Sequence, residues 1–358
     1  MKVAIDVSAI PAQPAGAGQY VVRVVDALAA SGAVGLELVT RRDDADRWRG
    51  LGAELHAVAP SRRPLRLVWE QLAGPAIASS ADVWHGPHYT MPLLSRRPTV
   101  VTVHDLTFFD HPEWHEASKV RFFRSMIRQS ARRANVLVCV SQRTADRLHE
   151  LVAPEVPVVV APHGVDHTRF GPGPDDTSMT LPERYVAFVG TIEPRKNVPG
   201  LVRAVSRLDP SIRLVLAGRP GWGSVAVDEA IAEADMGDRV IRLGYVSDQA
   251  VATIYRRAAA VAYPAFIEGF GLPALEALAC GAALVTTEHT PMADVVDDAA
   301  LLVPAGDDDA LTDALRTLVD GGPEVDRMRA RGPEVAAPFT WAASAERHVE
   351  AYRLAFDS

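Results

Sequence analysis

Residues 258–287, AAAVAYPAFIEGFGLPALEALACGAALVTT, constrain this chain more tightly than any other stretch. Residues 258–265 form an apolar run of strand length, Gly269 and Gly271 break any helix there, and 272–280 reads as a helix stopped by Gly281. Pro273 falls in the first helical turn, where its missing N–H costs nothing. A strand feeding a glycine loop and then a helix delivers backbone N–H groups and a positive helix end to one point, an arrangement that holds a phosphate without a metal. Gly269, Phe270, Gly271 and Leu272 are therefore candidate phosphate contacts through their backbone. Two carboxylates bracket that point. Glu268 lies in the loop, and Glu276 lies about one turn into a helix that is otherwise apolar. An acid on so apolar a helix is costly unless something donates hydrogen bonds to it. Taken singly, the two also fit a solvated loop residue and an acid complementing a helix dipole.

At 358 residues the chain exceeds one ordinary core and suits two domains. Apolar residues at 48% and charged ones at 23% describe a soluble globular protein. No run of about 18 uncharged apolar residues occurs, and Asp6 breaks the apolar start, so neither a membrane span nor a signal peptide is expected. Cys139 and Cys280 lack metal-ligand spacing and read as reduced, buried thiols of a cytoplasmic protein. The net charge of −8 hides an asymmetry: residues 1–170 hold 20 Lys+Arg against 17 Asp+Glu, and 171–358 hold 17 against 28. A nucleic-acid binder would show a strong basic stripe with aromatics, so no nucleic-acid partner is expected.

In chain order, residues 2–7 read as a strand, followed by a loop of small residues and a helix over 20–30, a Rossmann-like opening. Gly16-Ala17-Gly18 begins like a dinucleotide fingerprint, but Val21 replaces the third glycine and the turn is too long, which argues against nicotinamide. Asp44 and Asp46 offer a metal-binding pair, yet Arg41, Arg42, Arg47 and Arg49 interleave with them, so a charged loop or helix and no catalytic metal are expected. The strand 99–103 ends in His104 and Asp105, at the sheet edge where open α/β sheets collect ligands. Such a pair serves either as a ligand contact or as a structural hydrogen-bond pair. His85 and His88 leave the preceding strand in the same way and are candidates for an acceptor side.

Residues 117–134 form the most basic helix, with Phe122, Phe123, Met126 and Ile127 as an apolar stripe; it is either core-packed with a solvated basic face or a surface for membrane or an anionic acceptor. The linker 170–183, FGPGPDDTSMTLPE, marks a domain boundary. Beyond it the strand 185–190 leads to Arg195 and Lys196 just ahead of a helix. Two cations at a helix start could compensate the charge of an anion at the candidate phosphate site without a metal. The loop at Tyr245 and Val246, after the strand 240–244, faces the same edge. Asp248 there reads as a helix cap, as does Asp307 ahead of Asp308 and Asp309.

In this order, the signals resemble the retaining glycosyltransferases of family 4, which have the GT-B fold, and Glu268 and Glu276 stand at the spacing of that family's Glu-x7-Glu signature. The resemblance implies that Glu268 sits by the donor sugar and Glu276 holds the nucleotide ribose. It implies Gly16 and Gly18 near the donor diphosphate, His104 on the donor sugar, Lys196 on the leaving diphosphate, and Tyr245 and Val246 on the base. The family's other basic position is Thr191 or Ile192 here, which leaves Arg195 as the partner of Lys196. Residues 162–166 resemble the family's segment before the interdomain linker, with His163 where the family has asparagine.

The expected architecture is thus α/β of GT-B type, two Rossmann-like domains facing a central cleft. Residues 1–170 form the acceptor side, 171–341 the nucleotide-sugar side, and a C-terminal helix over 342–358 packs back on the first domain. The expected reaction is retaining, metal-independent hexosyl transfer to a glycan, lipid-linked or small-molecule hydroxyl, with no cofactor beyond the donor. GDP-mannose is the favoured donor because GTIEPRKN resembles mannosyltransferases of polysaccharide assembly. Loops around 8–18, 60–70 and 86–95 would meet the acceptor, and 117–134 a membrane's inner face. The alternatives are a sugar-nucleotide-binding protein without catalysis, or a UDP-sugar transferase or epimerase on the same fold.

Overall fold

The computed structural model describes residues 1–77, 80–176 and 179–358, so Thr177 and Ser178 of the linker lie outside the described residues. The chain divides into two compact units, residues 1–164 with 341–358, and residues 165–340.

The first unit holds strands β1 (Lys2–Asp6), β2 (Gly35–Arg41), β3 (Glu54–Ala59), β4 (Val83–Gly86), β5 (Thr99–Val103), β6 (Val136–Cys139) and β7 (Val158–Val160). Among the described residues they form one parallel sheet in the order β3-β2-β1-β4-β5-β6-β7. The second holds β8 (Tyr185–Val189), β9 (Arg213–Ala217), β10 (Val240–Gly244), β11 (Ala260–Tyr263), β12 (Leu284–Thr287) and β13 (Ala300–Val303), parallel in the order β10-β9-β8-β11-β12-β13. Parallel strands are covered on both faces, which is why every residue of β5, β6, β11 and β12 is buried and the polar ones in β5 and β12 are threonines. In each sheet the order reverses once, between β1 and β4 and between β8 and β11. The carboxyl ends of those pairs are the topological switch points where such folds bind ligands.

Helix Ala117–Arg133 packs Val120, Phe123 and Ile127 into a core with Val101, Val103 and Leu137, so its apolar stripe faces the sheet. Residues 60–70, expected as an acceptor loop, are largely helix: Pro64 opens Arg63–Leu72 in its first turn. Asp44 and Asp46 lie in the 3-10 helix Arg42–Trp48, where Arg47 and Arg49 pair with them. Asp307 caps its helix through Asp309 and Ala310 N–H, whereas at Asp248 the cap is Ser247 and the aspartate pairs with Arg169.

Helix Trp341–Phe356 belongs to the first unit, and a buried chain of polar groups fastens it there. His348 Nδ1 lies 2.7 Å from the Ser344 carbonyl, which only accepts, so Nδ1 carries the proton and Nε2 accepts from Tyr20 at 2.6 Å. Having donated there, the Tyr20 hydroxyl accepts from Thr102 Oγ1 (3.0 Å), Thr102 accepts from His85 Nε2 (2.9 Å), and His85 Nδ1 accepts from Tyr352 (2.8 Å). Five groups from two helices and two strands are satisfied with one proton each.

Candidate active site

At the β8/β11 switch point of the second unit, Gly190 ends its strand with φ +150°, and a Cβ there would stand 2.7 Å from Lys196 Nζ. The missing side chain makes room for the lysine. Lys196 itself is buried, at the end of the short 3-10 helix Pro194–Lys196 that precedes helix Val198–Ser206. Asn197 adopts the left-handed conformation and caps that helix on Gly200 N–H. From β11 the loop runs back past the same point, and Phe266 N–H donates to the Arg195 carbonyl at 2.7 Å, fastening loop to loop.

This tie brings the charged groups together. Arg195 forms an ion pair with Glu268 through Nη1 and one with Glu193 through Nε at 2.7 Å. Tyr263 donates to the other Glu268 oxygen at 2.8 Å, and Lys196 Nζ lies 5.5 Å from the centre of the Tyr263 ring. Burial pushes the Glu268 carboxyl up, but Arg195 and Lys196 outweigh it and hold it below the usual carboxylate range. Burial also pulls the Lys196 ammonium down, and Glu268 offsets part of that loss. Two cations and two carboxylates balance one another here. An incoming anion therefore competes with Glu193 and Glu268 for the arginine and lysine.

Helix Leu272–Ala279 begins beside this cluster. Its N-cap, Gly271, has φ +99°, and a Cβ there would fall 2.1 Å from Met292 Cγ, so conformation and space both demand glycine. Gly269 and Phe270 are buried, and Leu272 and Glu276 are half-buried among the buried Ala274, Leu275, Ala277 and Leu278. Gly218 N–H donates to the Gly244 carbonyl at 2.7 Å, which fixes the loops after β9 and β10 side by side; Tyr245 there is exposed, with Arg219 over its ring at 5.3 Å, and Val246 is half-buried.

The remaining expected site residues lie in the first unit. Gly16 caps helix Ala17–Ser31 with φ +52° and open space around it, while Gly18 packs against Pro11 and Pro14 and spends its N–H on Ala15. His104 is buried, donates Nε2–H to the Pro87 carbonyl at 2.8 Å, and meets Tyr20 edge-on. Burial, with His88 beside it, pulls its pKa to about 3, so it is neutral. Asp105 turns its carboxylate onto Thr107. His85 belongs to the hydrogen-bonded chain above, and His163 stacks between Tyr20 and Trp341.

Glu37, Glu54 and His56 are the one group of potential metal ligands found among the described residues. They lie toward the amino ends of β2 and β3, away from the ligand-binding edge, and Lys2 Nζ stands 3.7 and 3.8 Å from the two carboxylates. The lysine already supplies positive charge there.

Residues 14–169 match the family model for Glycosyltransferase Family 4, and residues 176–335 match that for Glycosyl transferases group 1. The chain belongs to glycosyltransferase family 4. It is 28% identical over 283 residues to the O-antigen chain mannosyltransferase B of Escherichia coli, covering 76% of this chain and 74% of that protein. It is 33% identical over 232 residues to the D-inositol 3-phosphate glycosyltransferase of Nocardia farcinica, covering 59% of this chain and 51% of the relative, about half its length. Among solved structures, a sucrose-phosphate synthase from Thermosynechococcus elongatus superposes with TM-score 0.83 at 21% identity, covering 99% of both chains. Anabaena HepE in complex with UDP-glucose gives 0.79 at 16%, also over 99% of both. These likenesses establish the GT-B fold for this family 4 glycosyltransferase.

Sequence reasoning missed Tyr263 and Glu193. Each lies within five residues of a residue it did name, and a tyrosine ending an apolar strand beside an acid-bearing loop was the available signal.

Proposed function

We propose that this family 4 enzyme moves a hexose, mannose from GDP-mannose first, to a hydroxyl of a glycan, lipid-linked or small-molecule acceptor, with retention and without a metal. The observation that carries this reading is the meeting of Lys196, Arg195 and Glu268 at one switch point, beside the start of helix Leu272–Ala279. In the reaction the bond from the anomeric carbon to the diphosphate oxygen breaks with its electrons on the diphosphate. Lys196, Arg195 and the N–H groups from Gly269 to Leu272 stabilise that charge. The acceptor hydroxyl attacks from the same face and gives its proton to the departing phosphate oxygen. Glu268 stands by the sugar, Glu276 holds the ribose, Tyr245 and Val246 meet the base, and neutral His104 hydrogen-bonds the sugar. The E. coli relative, named as a mannosyltransferase, supports the choice of donor sugar.

Thermal shift with GDP, UDP and NADH tests this reading, because a ligand stabilises the state it binds. The expected result is a rise in Tm with GDP, a smaller one with UDP and none with NADH. A larger rise with UDP would replace the donor, no rise with either diphosphate would overturn the reading, and binding without turnover of any sugar nucleotide would favour a non-catalytic protein. The one-bond coupling between C-1 and H-1 of the transferred sugar, read by carbon NMR, decides retention.

Peripheral membrane contact around 117–134 is a second reading, and the exposed apolar side chains of a neighbouring helix support it. Helix Arg63–Leu72 exposes Leu65, Val68 and Leu72 on one face, and Gln71 holds the loop that carries exposed Leu94 beside its last turn. Residues 61–135 hold eleven Lys+Arg against six Asp+Glu in a chain whose net charge is −8. Among the described residues no helix is long and apolar enough to cross a membrane. Flotation with anionic but not neutral vesicles is expected; equal flotation with both would overturn binding to anionic lipid, and flotation with neither would overturn the contact.

A further inference from the structure

We propose that Tyr263 is a positioning residue that holds Glu268 in place while Arg195 changes partners; this rests on the glycosyltransferase reading above. Three anchors fix Tyr263. It is the last residue of β11, its ring lies parallel to Phe188 of β8 at 5.9 Å and 10°, and its carbonyl accepts from Thr286 Oγ1 of β12 at 3.0 Å. Glu268, in contrast, rides on a glycine-containing loop with no regular structure. Its two oxygens have different partners: Tyr263 takes Oε1 and Arg195 takes Oε2.

The two partners respond differently to a diphosphate. Arg195 is a cation shared between Glu193 and Glu268, and a phosphate oxygen competes for it directly. The phenol of Tyr263 is neutral. Burial, then the neighbouring Glu268 charge, lift its pKa far above the ordinary value, so it remains a donor. A carboxylate held by arginine alone would lose its anchor when the donor binds, whereas one held by Tyr263 keeps its place. The same ring also lies under Lys196 Nζ, so one aromatic side chain sets the spacing between the acid and the cation.

Tyr263→Phe keeps the ring, its packing and its contact with Lys196, and removes only the hydroxyl. In the variant, calorimetry with GDP is expected to give a Kd within about twofold of wild type, while GDP release from GDP-mannose, with water as acceptor, has a kcat lower by about ten- to a hundredfold. The hydroxyl lowers the Glu268 pKa, so its removal should move the acid limb of the kcat profile to higher pH. In a Glu268→Gln background the same change should cost less than about threefold, because the group it positions is gone. Wild-type kcat and pH profile in Tyr263→Phe would overturn the assignment, as would full additivity with Glu268→Gln or a loss of GDP binding that tracks a lowered Tm. The carboxyl carbons of glutamate-labelled protein without ligand give a readout independent of turnover. Tyr263→Phe should raise the titration of the resonance that Glu268→Gln deletes, and no change would overturn the proposal. A wild type that binds neither GDP nor UDP brings down the glycosyltransferase reading instead, and the carboxyl titration then decides this one by itself.

Discussion

The two units bury polar groups beneath the carboxyl edge of the same kind of sheet and do opposite things with them. In the first, Tyr352, His85, Thr102, Tyr20 and His348 form a neutral chain in which every proton is allotted and the last one ends on a backbone carbonyl. In the second, Arg195 and Lys196 outweigh burial and hold Glu268 ionised, and Arg195 also pairs with Glu193. The neutral chain has nothing to offer a ligand; it joins helix to sheet. The charged cluster has partners that an anion can replace. Burial of polar groups therefore does not mark a binding site, and exchangeable charge does.

Acid should separate the two regions most strongly. His85, His88, His104, His163 and His348 all have pKa values pulled below the ordinary 6.5, chiefly by burial, His348 to about 4. The unfolded chain binds protons at these groups first, so their contribution is full above pH 6.5 and is lost as pH falls through that value toward the folded pKa values. Asp6 and Glu70 in the same unit oppose this, since burial raises both carboxyls, Glu70 to about 8. The histidines outnumber the raised carboxyls, so the first unit should lose stability as pH falls below about 6.5. Calorimetry should show one transition moving down while the second unit's holds; two transitions falling in parallel would erase the contrast.

The next largest effect sharpens the charged side. Lys196→Ala should lower transfer per folded molecule by about a hundred- to a thousandfold and lower Tm as well, because Glu193 and Glu268 are left with one cation between them. Normal transfer in this variant would remove Lys196 from the mechanism. The smallest effect concerns the neutral chain. Tyr20→Phe leaves His348 Nε2 without its donor and should cost about 1–3 kcal/mol in urea unfolding, with kcat per folded molecule unchanged; a stability equal to wild type would show that the chain is not a unit.

Much of the second unit's site was legible because its signals are local. The glycine at 271, the apolar strand before it and the isolated acid at 276 each constrain the backbone within a few residues of themselves. Arg195 and Lys196 were legible as cations ahead of a helix, but the ion pair of Arg195 with Glu268 was not, since 73 residues separate them. The helix at 117–133 shows the limit of periodicity. Its apolar stripe was visible, and the sheet, not the stripe, decided that Phe123 and Ile127 face a core. The acceptor loop expected at 60–70 is largely helix for a local reason: proline suits a first helical turn, and Pro64 opens Arg63–Leu72 there.

By itself the sequence determined the elements and their chemistry: strands too apolar to be exposed, glycines where no Cβ fits, and the acids and bases available to a site. Only the tertiary structure decided which of these groups share a site and in what state of charge. Parallel strand order places β8 beside β11 and so brings Lys196 and Glu268 together across the intervening chain. Burial and neighbouring charge then act through distance in space, which is why Glu268 is held ionised while His104 is held neutral.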